Sequence, residues 1–184
     1  THSSQRERSQ ASRLWRTCFK KWFVAMVASW MKDEVVNHQV LVLIGKQGVY
    51  KTTWLRRLLP TELQPYFYTK TNSNRFTKDD QFTLTEFALM CFEEIDSMSY
   101  AEINQLKALT TIDNINERAA YGRNKEHRPH IASFCATGNN LIYLTDDTGN
   151  RRFLTFEVER IVNPSHPPVD YTAVYSQAYA LWKQ

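Results

Sequence analysis

Residues 38–52, which read HQVLVLIGKQGVYKT, constrain the fold more than any other part of the chain. The apolar run at 40–44 predicts a buried strand, a turn begins at Gly45, and apolar residues at helical spacing follow Lys51 and Thr52. A strand, a G-x-x-x-x-x-K-T loop and a helix in this order are typical of a phosphate-binding loop. In such a loop, backbone N–H groups and the amino end of the helix face phosphate oxygens. The pattern therefore predicts a nucleotide-binding P-loop.

The loop and the first turn of its helix supply the predicted nucleotide ligands. Lys51 is expected to reach the β- and γ-phosphates of ATP, and Thr52 is expected to hold Mg²⁺. The alternative interpretation is an ordinary strand, turn and helix with an exposed lysine. The residues predicted to bind the nucleotide are Gly45, Lys46, Gln47, Gly48, Val49, Tyr50, Lys51, Thr52 and Thr53.

The loop departs from the common pattern at Tyr50, because most P-loops carry glycine directly before the lysine. Gly48 lies two residues earlier. A tyrosine fits at this place only if its backbone avoids positive φ and its ring points away from the phosphates. We therefore expect Tyr50 to keep an ordinary backbone conformation.

Composition sets broad limits on the class of protein. The 184 residues are enough for one domain with a real core, and a net charge of +4 permits nucleic-acid binding without demonstrating it. The three cysteines are far apart and flanked by apolar residues, which predicts buried reduced thiols and a cytoplasmic location. No apolar run approaches the ~18 residues of a membrane span.

Buried strands that alternate with helices predict an α/β fold with a mostly parallel sheet covered on both faces. Residues 1–10 are expected to be a frayed end or linker, 64–85 to be rich in turns with a short strand near 66–68, and 114–130 to be irregular. Ser99 and Glu102 form a predicted capping box. The predicted strands are 87–92, 131–137 and 152–158, and the predicted helices are 11–32, 99–112 and 170–183.

The same patterns divide the chain into three parts. Residues 1–37 are expected to be a tail and an amphipathic helix that packs on the core, and residues 38–160 to be the P-loop core. Residues 161–184 are expected to be a linker and the start of a helix. Because helical spacing continues to the last residue, we expect the chain to be a domain of a longer protein.

Two acids follow the predicted strand at 87–92, which is the Walker B arrangement. In that arrangement the first carboxylate orders the Mg²⁺ shell and its neighbour polarises the attacking water. Glu93 is the candidate for the metal and Glu94 for the water, while Asp96 lies close enough to replace either. The alternative is a solvated acidic start of a helix.

Polar residues also follow the predicted strand at 131–137. Ligands collect at the carboxyl edge of open α/β sheets, so Asn139 is the first candidate, and Asn140 the second, to touch the γ-phosphate or the water. The Gly-Asn-Asn sequence is equally good turn chemistry, and the two interpretations are compatible.

Arg151 and Arg152 lie at the start of the predicted strand at 152–158, and Arg152 is its first residue. Arginine is well suited to stabilise charge on a transferring phosphoryl group. The alternative is a weak surface ion pair with Asp146 or Asp147.

Taken in order, the segments GKQGVYKT, CFEEID, ERAAYGR, FCATGNN and TDDTGNRRF resemble the virulence-associated protein E family over residues 38–160. Members of that family are ATPases similar to superfamily III helicases. The resemblance implies an AAA+-like P-loop ATPase core, homo-oligomeric rings and ATP-driven DNA unwinding. It also implies that Arg152 or Arg151 acts across a subunit interface as an arginine finger.

The family resemblance also favours a DNA-binding role for the basic segment at 118–130. Contacts of this kind are electrostatic and are made to the phosphate backbone whatever the base sequence, and we expect the DNA to be single-stranded. The alternative is a solvated loop. The predicted DNA-binding residues are Arg118, Arg123, Lys125 and Arg128.

Three functions compete on this evidence. The paired acids and paired arginines favour a motor that hydrolyses ATP, because a binding module needs neither. Tyr50 favours a nucleotide-binding regulatory or assembly module with weak hydrolysis. A small-molecule kinase is disfavoured, since nothing resembles an arginine-rich closing lid.

Overall fold

The computed structural model of the protein describes residues 2–71, 79–117, 126–141, 150–162 and 168–184. Within these ranges, five strands form one sheet and two further strands form a separate antiparallel ladder. None of the described helices is long and apolar enough to cross a membrane.

The central sheet is parallel throughout, with the strand order β2-β3-β6-β1-β7. The α/β fold class predicted from the sequence, with a parallel sheet, flanking helices and an N-terminal helix, is therefore confirmed. Because all five strands run the same way, their carboxyl ends meet at one edge. The strands are β1 (Val40–Ile44), β2 (Phe67–Lys70), β3 (Leu89–Phe92), β6 (Ser133–Gly138) and β7 (Phe153–Glu157).

Helices cover both faces of the sheet, so its central strands are buried on both sides, as the continuous apolar runs predict. One face packs against α3 and α4 through residues such as Leu84 and Leu106. The other face packs against α1, α2 and α5 through residues such as Trp22, Leu55 and Ala178. The helices are α1 (His2–Met31), α2 (Lys51–Arg56), α3 (Asp79–Glu86), α4 (Tyr100–Leu109) and α5 (Tyr171–Trp182).

Helix α1 is longer than the sequence predicts. It begins at His2, so the expectation of a frayed end or linker at 1–10 is wrong. Residues 6–14 are exposed and mostly polar, and their residue types tolerate a helix, so the helix extends beyond the part that packs on the core. Further along, Trp22 is fully buried, and its Nε1–H lies 3.1 Å from the carbonyl oxygen of Gln39 and 3.2 Å from that of Phe134.

Three elements were not predicted. Helix α3 lies in the stretch expected to be rich in turns, and strands β4 (Asn114–Glu117) and β5 (Glu126–Pro129) pair in the stretch expected to be irregular. These elements are short and mostly polar, and tertiary contacts such as the burial of Leu84 and Ile115 select them over turns. The short strand expected near 66–68 and the capping box at the start of α4 are both confirmed.

Helix α2 is short, and helix α5 completes its carboxyl end. Tyr171 Oη–H donates to the carbonyl oxygen of Arg57 at 2.7 Å, and Tyr175 Oη–H donates to that of Leu58 at 2.8 Å. The last carbonyl groups of a helix lack intrahelical partners, and these tyrosines supply them. Burial raises the pKa of the Tyr175 hydroxyl group above its ordinary value.

Candidate nucleotide-binding site

The P-loop starts at the carboxyl end of the central strand β1. Gly45 N–H donates to the carbonyl oxygen of Gly138 at 3.1 Å, at the end of the neighbouring strand β6. On the other side, a Cβ atom at Gly45 would collide with the carbonyl oxygen of Val158, just after β7. Only glycine fits between the ends of the two neighbouring strands, so the position at which the loop leaves the sheet is fixed.

Lys51 is held by the loop that precedes it. Its Nζ donates to the carbonyl oxygens of Gly45 at 2.5 Å and Lys46 at 2.8 Å, and the residue is only 8% exposed. Burial lowers the pKa of Lys51, and the negative charge of Asp96 acts against this lowering. The lysine is thus not the exposed side chain of an ordinary turn.

Tyr50 takes a left-handed backbone conformation, with φ 65° and ψ 24°. The expectation that it would avoid positive φ is wrong. Its carbonyl oxygen accepts the first bond of α2, from Trp54 N–H at 2.8 Å. A left-handed conformation costs a non-glycine residue roughly 1–2 kcal/mol. Tyr50 as a whole is 54% exposed. Gly48 also has positive φ, at 82°.

The two predicted Mg²⁺ ligands lie together. Thr52 Oγ1 donates to Glu93 Oε1 at 2.8 Å, which joins the start of α2 to the end of β3. Hydroxyl and carboxylate oxygens are the hard ligands that Mg²⁺ takes beside phosphates, so the chemistry of this donor pair fits that ion. The main chain of Glu93 is fixed as well, because its N–H donates to the carbonyl oxygen of Lys70 at 3.0 Å.

Glu94, the predicted partner of the water, is exposed at the same edge of the sheet. It has a left-handed backbone conformation, with φ 54°. Its carbonyl oxygen accepts from Ser97 N–H at 2.9 Å and from Ser97 Oγ–H at 2.8 Å, which closes a short 3₁₀ turn. The carboxylates of Glu93 and Glu94 therefore have different surroundings: that of Glu93 accepts a hydrogen bond from Thr52, whereas Glu94 is exposed.

Asn139 and Asn140 follow β6 at this edge, and both are exposed. Asn140 bonds to Asp96: its N–H lies 3.1 Å, and its Nδ2 3.4 Å, from Asp96 Oδ2. The first candidate, Asn139, therefore sits in a turn whose next residue is tied to the acidic segment. Both interpretations of the Gly-Asn-Asn sequence, as a turn and as a group of polar side chains at the ligand edge, fit this arrangement.

Arg151 and Arg152 lie at the opposite edge of the sheet. They belong to a short 3₁₀ turn before β7 rather than to the strand itself, and they line a cavity of about 630 Å³ with His38 and Gln39, just before β1. Because Phe153 pairs with Val40 in parallel register, roughly 20 Å of strand separates the arginines from the P-loop of their own chain.

Of the predicted DNA-binding residues, only Arg128 lies within the described ranges; Arg118, Arg123 and Lys125 lie outside them. Arg128 is on β5, and its side chain contacts α3. Its guanidinium carbon is 5.9 Å from the centre of the Phe82 ring, and its Nη1 is 3.6 Å from Glu86 Oε1. Arg128 thus has a packing role whether or not it contacts DNA.

Sequence reasoning missed one charged pair at this edge. Lys70 Nζ and Asp80 Oδ1 are 2.7 Å apart, and both side chains are almost fully buried. The pair joins the end of β2 to the start of α3, beside the main chain that holds Glu93. Neither residue belongs to a recognisable motif, so only the folded chain brings them together.

Comparison with solved structures identifies the same fold elsewhere. The A form apo structure of the NrS-1 C-terminal region superposes with a TM-score of 0.53, at 16% identity, over 89% of this chain and 39% of that chain. A second A form structure of this region gives a TM-score of 0.53 at 18% identity, and a further apo structure gives 0.52 at 15%, each covering 89% of this chain and 40% of the other. The chain thus spans about two-fifths of these structures.

No curated protein matches the chain. The virulence-associated protein E-like domain, by contrast, matches residues 7–184. That range covers every described element of the sheet and the P-loop. The chain therefore belongs to the virulence-associated protein E-like family.

Proposed function

We propose that the protein is an ATP-hydrolysing motor domain of a helicase-like protein that acts on DNA. The observation that carries this proposal is the hydrogen bond between Thr52 and Glu93, 2.8 Å long, beside the buried Lys51. It joins the P-loop to the acidic end of β3, which is the pairing that ATP hydrolysis with Mg²⁺ requires. Family membership and the shared fold support the same class of function.

The chain's own groups divide the work of binding. Backbone N–H groups of the loop and the start of α2 would face the phosphates, and Lys51 would exchange its two carbonyl partners for phosphate oxygens. Thr52 and Glu93 would hold Mg²⁺, which when bound neutralises negative charge on the phosphates. This arrangement binds a nucleoside triphosphate through its phosphate chain.

Hydrolysis needs a group that orients water and removes its proton. Glu94 is exposed at the edge where the phosphates would lie, so its carboxylate is accessible to a water molecule. Asn139, exposed at the end of the strand next to β1, would hydrogen-bond the γ-phosphate or that water. We assign these two residues to the chemical step.

The arginines can serve a neighbouring subunit. Arg152 is roughly 20 Å of strand from its own P-loop, so it supplies positive charge to an ATP site only across an interface between two copies. This placement favours a ring in which the amino edge of one sheet faces the P-loop edge of the next. DNA would contact the basic segment, through Arg118, Arg123, Lys125 and also Arg128, which lies close to Glu86.

A second candidate is a nucleotide-binding regulatory or assembly module with weak hydrolysis. The left-handed conformation of Tyr50 favours it, because a strained non-glycine residue at a functional site is retained only where the surroundings hold it. On this second proposal, the exposed side chain of Tyr50 contacts a partner protein, and the loop is not adapted for fast hydrolysis. The two candidates differ in the rate of hydrolysis and in its response to DNA.

Nucleotide binding is tested first by Lys51→Ala. The substitution removes the ammonium group that the loop holds, so ATP·Mg²⁺ affinity should fall at least about tenfold. Titration calorimetry measures the change. Lys32→Ala, at an exposed lysine near the end of α1, is the matched control and should bind like the parent. Parental affinity in Lys51→Ala would show that the P-loop assignment is wrong.

The motor proposal predicts steady-state ATPase activity that single-stranded DNA increases. Glu94→Gln keeps the shape of the side chain but removes the base, so it should bind ATP normally and lose about 10²–10⁴ of the turnover. Glu93→Gln should instead weaken binding that depends on Mg²⁺. If Glu94→Gln turns over ATP like the parent, another acid activates the water. A parent protein that binds ATP without hydrolysing it, with or without DNA, would favour the assembly module.

Tyr50→Gly is a second test that distinguishes the motor domain from the assembly module. Glycine adopts the observed left-handed conformation freely, so the loop keeps its shape, and the motor proposal predicts turnover within about threefold of the parent. Tyr50→Phe is the control, since it keeps the ring and the backbone restriction. A gain of about tenfold or more in Tyr50→Gly alone would show that tyrosine limits hydrolysis, as an assembly module requires.

The ring proposal predicts complementation between two inactive variants. Arg152→Ala should bind ATP nearly normally yet lose about 10³–10⁵ of its activity, as removal of a trans-acting arginine does elsewhere. Mixed with Lys51→Ala, it should regain partial ATPase activity, because one variant supplies the intact P-loop and the other the arginine. If the mixture stays inactive while the variants demonstrably co-assemble, Arg152 is not the finger, and Arg151 is tested next in the same way.

A further inference from the structure

The turn after β6 is tied to the segment after β3 by a single side chain. Asp96 Oδ2 accepts from the main-chain N–H of Asn140 at 3.1 Å and lies 3.4 Å from its Nδ2. Strands β3 and β6 are neighbours, so this contact joins the two segments that follow them at the carboxyl edge of the sheet. Asn139 is the residue between the end of β6 and this contact.

The other oxygen of Asp96 has no hydrogen-bond partner among the residues that the structure describes, although it is buried. It lies against the end of β6, because a Cβ atom at Gly138 would come within 2.8 Å of it. A buried acceptor without a donor is destabilising, and such groups are retained where a function needs them. Packing alone therefore does not account for an aspartate here.

Asp96 also acts on the P-loop. Its negative charge acts against the lowering of the pKa of Lys51 that burial causes. Ile44, the last residue of β1, lies beside the same Gly138 position. The ends of β1, β3 and β6 thus meet around this one carboxylate.

We infer that Asp96 is a positioning residue for ATP hydrolysis: it holds the turn 138–140 so that Asn139 faces the phosphates. This inference rests on the proposed function. The positioning role differs from water activation. A side chain that only accepts hydrogen bonds from Asn140 can be replaced by an amide with an oxygen at the same place, whereas a base cannot.

Two substitutions at Asp96 separate positioning from other roles. Asp96→Ala removes the contacts of Asp96 with the main-chain N–H and the Nδ2 of Asn140. It should lower kcat about 10- to 100-fold, which is the usual effect of losing a hydrogen bond to a charged group. ATP affinity should stay within about threefold of the parent. Asp96→Asn keeps an oxygen that can accept from Asn140 N–H, so it should recover most of kcat. Asp33→Ala, at an exposed aspartate between α1 and β1, is the matched control and should behave like the parent.

A second measurement does not depend on turnover. Hydrogen exchange followed by mass spectrometry should show faster exchange in the peptide that contains residues 138–141 of Asp96→Ala, and unchanged exchange in the P-loop peptide. Exchange like that of the parent in 138–141, or kcat like that of the parent, would overturn the inference. So would an Asp96→Asn variant as inactive as Asp96→Ala, since that result indicates a base.

The two proposals fail in different ways. A parent protein without ATPase activity would overturn the proposed function, and the exchange measurement would then decide by itself whether Asp96 holds the turn. An active parent with an unaffected Asp96→Ala variant would leave the proposed function intact and overturn only the positioning role. Equal losses of kcat, affinity and thermal stability in Asp96→Ala would likewise overturn it, because they indicate a general structural role.

Discussion

The site depends on the place of β1 between two parallel neighbours. At the end of the strand, Gly45 bonds to the carbonyl oxygen of Gly138 on one side and lies against that of Val158 on the other. A parallel sheet buried on both faces leaves its strands little freedom to shift, because every side chain is packed. The loop therefore starts from a rigid point, and the position of Lys51 follows from it.

The strand order then determines which groups can meet. Strand β6 lies between β1 and β3, so the P-loop and the acidic segment are two strand spacings apart, about 10 Å. Helix α2 starts over this gap, and the bond from Thr52 to Glu93 spans it. The end of β6, with Asn139, lies between the two. On the proposed function, a phosphate chain bound by the loop would therefore lie close to the Thr52–Glu93 pair and to Asn139 at the end of β6.

The sequence predicts the parts of the fold that hydrophobic burial alone determines. Four of the five sheet strands carry continuous or alternating apolar runs, and the capping box at Ser99 is a local signal, so both could be recognised. Helix α3 and strands β4 and β5 depend on distant contacts, such as those of Leu84 and Ile115, which no local pattern reveals. The backbone of Tyr50 was predicted wrongly for a related reason. The rule that non-glycine residues avoid positive φ is local, whereas the conformation is selected by the loop that must turn into α2.

The candidate site shows the same division between local and distant information. Motifs made Lys51, Thr52 and Glu93 candidates but did not show which groups they contact, and nothing in the sequence placed Asp96 against Asn140. Parallel register also separates residues that motif analysis groups together. The arginines directly precede β7, the strand next to β1, yet they lie far from the loop, because the carboxyl end of β7 is the end beside the loop. On the proposed function, one chain then holds a binding site at one edge of its sheet and a positive charge for a second site at the other. Such a chain completes catalysis only in an assembly of copies related head to tail, and a rotation that closes gives a ring.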